Sequence, residues 1–144
     1  RAHRDFIDTE RAKVIRAGLA DRIVFFGKQP FERIPTLFRA MSIVAALSRN
    51  EGFGLTVPEA MASGVAVLAS EAGAWPEIVE EGREGRIVPV GDVGATRAAL
   101  DEMMANPDDL AAMGARGREK VERDFTVERE ARALVEYYRE VAAR

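Results

Sequence analysis

Short apolar runs alternate with helical patterns along this 144-residue chain, and that alternation is the feature that most limits its fold. Each run is rich in Val or Ile, and most are bounded by Gly, Asp or Ser, as is typical of buried strands. Strands that alternate with helices form βαβ units, which place helices on both faces of a parallel sheet. The sequence therefore predicts an α/β, Rossmann-like fold. The predicted strands are residues 22–26, 42–47, 65–69 and 86–90.

Helical patterns fill the intervals between these runs and continue as a helical C-terminal tail. The first pattern precedes Gly18, which is a typical helix stop. Within the tail, Thr126 is a candidate N-cap, and Asp108 with Asp109 is another. The predicted helices are residues 4–17, 31–40, 56–62, 76–80, 95–105, 108–123 and 127–142.

Composition excludes several classes of function. The chain has no cysteine, so it has neither a disulfide framework nor a thiolate metal site. Its net charge of −3 argues against general nucleic-acid binding. Residues 1–49 nevertheless contain ten Lys and Arg against five Asp and Glu. This basic region could face phosphate or an anionic membrane surface, or it could simply be exposed to water. We expect a cytoplasmic protein.

The loop after the second predicted strand has the composition of a ligand site. Residues 48–59 (SRNEGFGLTVPE) place Pro58 in the first turn of a helix, the part of a helix that tolerates proline. The free N–H groups of that turn face the crevice beyond the strand ends, where open α/β sheets bind ligands. Gly52 and Gly54 allow positive φ and close approach to a phosphate.

Two carboxylates, Glu51 and Glu59, flank this loop. A carboxylate accepts hydrogen bonds in pairs, which suits the vicinal hydroxyls of a sugar or a ribose. Each also has a structural explanation: Glu59 can complement the helix dipole, worth about 0.3–1 kcal/mol, and Glu51 can bond its own backbone. Their conjunction with two glycines and a helix start favours a ligand site.

Residues 51–67 (EGFGLTVPEAMASGVAV) resemble the signature of retaining glycosyltransferases of the GT-B fold, in particular glycosyltransferase family 4 (group 1). Two glutamates separated by seven residues form the hallmark of that family. Segments 21–27 (DRIVFFG), 72–79 (AGAWPEIV) and 82–92 (GREGRIVPVGD) also match, so the resemblance covers almost the whole chain. Among members, the chain is most similar to bacterial lipopolysaccharide-core enzymes, often mannosyltransferases. The resemblance implies that residues 1–144 are the C-terminal, donor-binding domain.

The resemblance also implies a role for each matching residue. Glu51 would approach the hydroxyls of the donor sugar as the catalytic residue, and Glu59 would hold the ribose hydroxyls. Lys28 would border the base and could reach phosphate, although an exposed surface lysine is the alternative. The other implied donor contacts are the backbone N–H groups of Gly52, Phe53, Gly54 and Leu55, with Gly27 and Gln29 beside the base.

The implied reaction transfers a hexose from a nucleoside-diphosphate sugar to an acceptor hydroxyl, with retention of the anomeric configuration. Preorganised N–H groups would stabilise the departing diphosphate, so no metal or other cofactor is expected. Consistent with this, the sequence has no Asp-x-Asp cluster beside a strand. The expected partners are the nucleotide sugar and, through an N-terminal domain, an acceptor glycan or glycolipid, with peripheral contact to the inner membrane.

The match departs from the family at the front of the chain. There the family has two more strands, with a glycine-rich turn and an Arg and a Lys that clamp the diphosphate. We therefore expect a partial domain that is inactive by itself. Either another chain or segment supplies the missing strands, or the four predicted strands pair directly in a rearranged sheet.

Several further hypotheses remain open from the residues. Trp75 is either a sugar-stacking platform or an ordinary packing residue, and the apolar stripe of the last helix is expected to be partly exposed. The chain is alternatively a non-catalytic nucleotide-sugar-binding module or a GT-B-type nucleotide-sugar epimerase. A flavodoxin-like phospho-acceptor domain would need acids at strand ends, for which only Glu51 and Glu71 are candidates.

Overall fold

The computed structural model describes the backbone of residues 2–143 and the side chains of residues 5–143. The chain divides into a first unit that ends at Phe31 and a second unit that begins at Glu32. The first unit opens with helix α1 (Ala2–Arg16). Gly18 stops this helix as predicted: it has a φ of 69°, and its N–H donates to the carbonyl of Ile15 at 3.0 Å.

The predicted strand at residues 22–26 is wrong. Arg22 lies in a turn and residues 23–26 belong to no helix or strand, so the rearranged four-stranded sheet is wrong as well. A strand needs a hydrogen-bonded neighbour, and the described part of the first unit contains no second strand. Within this unit, the guanidinium of Arg11 lies 5.4 Å from the ring centre of Phe25, a cation–π contact.

The second unit is built on a parallel sheet of three strands in the order β1 (Ile43–Ala46), β2 (Ala66–Ser70) and β3 (Gly85–Val88). Val44 pairs with Val67, and Ala69 pairs with Ile87. All five residues of β2 are buried, as the continuous apolar run predicts for a central strand. The other three predicted strands are thus confirmed, with bounds that differ by one or two residues.

Six α-helices of the second unit surround this sheet and continue beyond it. A short 3₁₀ turn leads into the first of them, where the sequence predicted one continuous helix over residues 31–40. The helices are α2 (Ile34–Arg39), α3 (Thr56–Ala62), α4 (Trp75–Ile78), α5 (Val93–Ala105), α6 (Pro107–Asp124) and α7 (Val127–Ala142).

Two apolar cores lie on opposite faces of the sheet. On one face Val67 and Ala69 pack with residues of α3 and α4, among which Met61 is fully buried. On the other face Leu68 packs with Ala99 and Met103 of α5. Because neighbouring residues of β2 point to opposite faces, one strand supplies both cores. The prediction of helices on both faces is confirmed.

Helix ends in the C-terminal tail follow the predictions in part. Thr126 caps α7, its hydroxyl accepting from the N–H of Arg129 at 3.3 Å. The predicted cap at Asp108 and Asp109 is wrong, because α6 begins at Pro107 and both acids lie inside its first turn, where they complement the helix dipole.

The apolar stripe of α7 is exposed as expected, and no described residue of this helix is buried. Its large side chains retain about half or more of their accessible surface. None of the described helices combines the length and the apolar character needed to cross a membrane. The residues of the stripe are Leu134, Val135, Tyr138 and Val141.

Candidate functional site

The loops that follow the three strands meet at one edge of the sheet, because parallel strands all end on the same side. The hydroxyl of Ser70, at the end of β2, donates to the carbonyl of Ser48, just after β1, at 2.6 Å. This bond ties two strand ends together. The segment between β1 and α3 is therefore anchored before it reaches residues 51–55, here called the glutamate loop.

Both predicted carboxylates belong to this region and are half-buried. Glu51 begins the glutamate loop, and its Oε2 lies 3.4 Å from the hydroxyl oxygen of Ser48. Glu59 lies one turn into α3, where its N–H donates to the carbonyl of Leu55 at 2.9 Å. Neither carboxylate forms an ion pair with any residue that the structure describes. Their charges are therefore available to a ligand.

The backbone of the glutamate loop offers donors. Among the described residues, no acceptor is bonded to the N–H groups of Gly52, Phe53, Gly54 or Leu55. The N-cap position of α3 also lacks a side-chain cap. Unbonded backbone donors at an exposed loop suit a ligand rich in oxygen acceptors.

Gly54 adopts the positive φ that the sequence predicted, with a value of 71°. Gly52, for which the sequence allowed the same conformation, does not adopt it. A Cβ at Gly54 would lie 2.6 Å from Cγ of Glu51 and 2.7 Å from Cε2 of Trp75. Only a glycine fits at this position beside the two side chains.

Trp75 is a packing residue, and the sugar-stacking hypothesis is wrong. Its side chain is 1% exposed, so neither ring face is accessible to a sugar. Its indole N–H donates to the carbonyl of Gly54 at 3.0 Å. This contact was missed because it joins residues 21 positions apart, which no local pattern reveals.

A second contact ties the same segment to the glutamate loop. The N–H of Ala74 donates to the carbonyl of Gly52 at 3.1 Å. Gly73, with a φ of 55°, lies so close to the carbonyl groups of Glu51 and Gly52 that a Cβ could not be accommodated. Residues 72–75, here called the tryptophan segment, therefore contact the glutamate loop at Glu51, Gly52 and Gly54.

A cleft of about 700 Å³ opens on the other side of the glutamate loop. Glu59, Phe53 and Leu55 line one wall, and the junction of α6 and α7 forms the other. Phe53 contacts Phe125 across it, with ring centres 6.3 Å apart. The lining of the cleft is mainly apolar and includes the charged residues Glu59, Asp124, Arg129 and Glu130. It brings three of the predicted site residues together, whereas Glu51, Gly52 and Gly54 do not line it.

One of the acids that line this cleft, Asp124, has a shifted pKa. The hydrogen bond from the guanidinium of Arg123 lowers the pKa of Asp124, and the charge of the same guanidinium adds to the effect. Asp124 therefore remains ionised to more acidic pH than an isolated aspartate. Across the part of the chain that the structure describes, no three acidic or histidine side chains are grouped to hold a metal ion.

The predicted base-side residues lie in the first unit. Gly27 has a φ of 63°, and Lys28 is exposed. The amide of Gln29 donates to the carbonyl of Phe26 at 2.6 Å, which closes a local turn. The chain bends at Lys28, between these two residues.

Comparison with known proteins identifies the family. The family model described as "Glycosyl transferases group 1" matches residues 8–120. The chain belongs to the group 1 glycosyltransferases.

One curated mannosyltransferase is similar in sequence over nearly the whole chain. The chain is 42% identical over 136 residues to the lipopolysaccharide core biosynthesis mannosyltransferase LpcC of Rhizobium leguminosarum bv. viciae, covering 94% of the chain and 38% of that protein. It thus spans about two fifths of the length of this curated relative.

Two solved structures show the same architecture. The C-terminal domain of a group 1 family protein (LpcC) from Francisella tularensis superposes with a TM-score of 0.76 and 35% identity, covering 85% of the chain and 64% of that structure. Anabaena HepE in complex with UDP superposes with a TM-score of 0.89 and 25% identity, covering 96% of the chain and 38% of HepE. The predicted Rossmann-like C-terminal fold of GT-B enzymes is confirmed.

Proposed function

We propose that this chain is the donor-binding domain of a retaining hexosyltransferase whose donor is a nucleoside-diphosphate sugar. The observation that supports this most concerns two carboxylates, Glu51 and Glu59. Neither forms an ion pair with a described residue, and the backbone donors of the loop between them bond no described acceptor. A nucleotide sugar offers the complementary groups: hydroxyls for the carboxylates and phosphate oxygens for the N–H groups.

Each glutamate takes a separate part of the donor. Glu59, which faces the cleft, holds the ribose hydroxyls, and Glu51 contacts the hydroxyls of the sugar near the reacting carbon. The N–H groups of Gly52, Phe53, Gly54 and Leu55 contact sugar and phosphate. Gly27, Lys28 and Gln29 border the base. Anabaena HepE has been solved with UDP and with UDP-glucose, which supports a donor of this chemical class.

The reaction exchanges one bond at the anomeric carbon. The acceptor oxygen forms a bond to that carbon, the bond from the carbon to the diphosphate oxygen breaks, and the acceptor proton leaves with the diphosphate. Negative charge grows on the departing diphosphate, and N–H groups already fixed in position stabilise it without reorganisation. We propose that no divalent ion is needed, so a chelator should leave turnover unchanged.

For the identity of the hexose and of the acceptor, our proposal rests on the named relatives. LpcC of Rhizobium leguminosarum is a lipopolysaccharide core mannosyltransferase by name, which favours mannose as the hexose and a glycolipid as the acceptor. The remaining length of such a relative would supply the acceptor-binding domain.

Calorimetric titration of the complete protein with UDP, GDP, UDP-glucose and GDP-mannose tests the donor role. Glu59→Ala should weaken every nucleotide that binds by about 1–3 kcal/mol, because charged hydrogen bonds to the ribose are lost. Glu119→Ala removes an exposed acid on α6 that does not line the cleft, and should change nothing. Unchanged nucleotide affinity in Glu59→Ala would remove the ribose role.

Turnover separates a transferase from a binding module or an epimerase. Glu51→Ala should lower the rate of donor cleavage more than it weakens binding of the nucleoside diphosphate, since Glu51 acts on the sugar. Mass spectrometry of the sugar products identifies transfer, and an epimerised nucleotide sugar would contradict the proposal.

A further inference from the structure

The tryptophan segment contacts the glutamate loop at three successive points. Gly73 packs on the carbonyl groups of Glu51 and Gly52, the N–H of Ala74 bonds the carbonyl of Gly52, and the indole N–H of Trp75 bonds that of Gly54. The N–H groups of the loop bond no described acceptor, and its other described contacts are those of Glu51 with Ser48, of Phe53 with Phe125 and of its last residues with the start of α3. The tryptophan segment therefore restrains the carbonyl groups of the loop.

The indole ring is also linked to Glu51 through Gly54. Both side chains lie against this glycine, so that a single added carbon there would collide with both. If the indole ring moved away, Gly54 would shift into the vacated space. The side chain of Glu51, which lies against Gly54, would then lose its fixed position. The ring itself is held in the core with Ile78 and Val57, so it forms a rigid support.

We propose that Trp75 is a positioning residue for the transfer reaction, and that it holds Glu51 in place against the donor sugar through Gly54. This inference rests on the proposed function, because it assigns Trp75 a role through Glu51. Trp75 touches neither donor nor acceptor, as its burial excludes contact with either.

Trp75→Phe tests the inference, since phenylalanine keeps an aromatic ring in the core but removes the N–H donor. Ile78→Val is the matched control, because it trims a buried side chain at the other end of α4 and leaves the bond to Gly54 intact. Donor cleavage by the complete protein is followed with UDP-glucose and GDP-mannose, with water as the acceptor.

We expect Trp75→Phe to lower kcat about tenfold, since small misplacements of a reacting group are costly, while affinity for UDP and GDP changes less than about threefold. In a Glu51→Ala background the same substitution should have almost no further effect on kcat. The positioning role would be overturned if Trp75→Phe lowered kcat by the same factor with and without Glu51. It would also be overturned if Ile78→Val lowered kcat as much as Trp75→Phe does.

Amide hydrogen exchange provides a readout that needs no donor. The N–H of Ala74, bonded to the loop, should exchange about fivefold faster in Trp75→Phe than in Ile78→Val, each measured relative to Leu68 in β2. Unchanged exchange at Ala74 would overturn the inference whatever the activity. Faster exchange in a protein that binds none of the four nucleotides would instead contradict the proposed function and leave the support of the loop by Trp75 standing.

Discussion

At the residue scale, the space around Gly54 determines whether the glutamate loop can form. Its positive φ is strained for any other residue, and the side chains of Glu51 and Trp75 occupy the position of a Cβ. Both effects act on the same atom. Position 54 should therefore tolerate substitution poorly. Gly52, in the same loop, provides a comparison.

Gly54→Ala should destabilise the protein by about 1–3 kcal/mol, because backbone strain and a steric clash add. Gly52→Ala is the control: Gly52 has no positive φ, and a Cβ there meets nothing within 4 Å. Its effect should stay within about 1 kcal/mol and could be stabilising. Denaturant unfolding measures both variants, and equal stabilities would show that Gly54 is not constrained.

The candidate site residues could be predicted from the sequence where their spacing along the chain is sufficient to identify them. Glu51 and Glu59 were identified from their positions around a helix start, and the structure shows both half-buried and without an ion pair to a described residue. Their roles toward a donor stay predictions. The contact of Trp75 with Gly54 was not predictable, because it depends on how two loops from different strands meet.

At the scale of elements, a buried acid joins the turn before β3 to α6. The side chain of Glu84 is 2% exposed and lies 3.4 Å from the ammonium of Lys120 in α6. It also accepts from the N–H of Glu80 at 2.8 Å and lies 3.4 Å from the guanidinium of Arg83. A buried carboxylate is stable only with such partners, so this cluster fixes the position of α6 against the sheet edge.

Glu84→Gln should destabilise the protein by about 1–3 kcal/mol, because Lys120 loses its counter-charge while the shape of the side chain is kept. Glu122→Gln, in the exposed pair between Arg118 and Glu122, is the matched control and should cost less than about 0.5 kcal/mol. Thermal and denaturant unfolding of both variants checks the difference. A cost for Glu122→Gln as large as that for Glu84→Gln would contradict it.

Most elements were predictable, since local patterns determine them. Helices α3 and α7 begin and end at the predicted residues, because Pro58 and Thr126 mark their first turns. The strand predicted at residues 22–26 failed for a different reason. Its apolar residues fit a strand, but hydrogen bonding to a neighbour is a property of the sheet and cannot be inferred from one segment.

At the scale of the whole molecule, the two units differ in how their backbones are secured. In the second unit, β2 bonds a strand on each side and both faces are covered. In the first unit, residues 19–30 are mostly exposed and belong to no helix or strand. Regions with few buried contacts and few ladder bonds open at low free energy.

Limited trypsin digestion should therefore cut first after Arg22 and Lys28, which are exposed in this segment. Arg86 is the internal control, because it lies in β3 and forms ion pairs with Glu81 and Glu102. Mass spectrometry of early fragments identifies the order of cleavage. Early cleavage after Arg86 would show that the sheet opens as readily as the first unit.

The burial of Trp75 has an optical consequence. It is the single tryptophan of the chain, and its indole N–H is bonded to the backbone of the glutamate loop. The tryptophan fluorescence of this domain therefore originates next to the glutamate loop, and its emission wavelength and quenching should report the state of the loop without any attached dye.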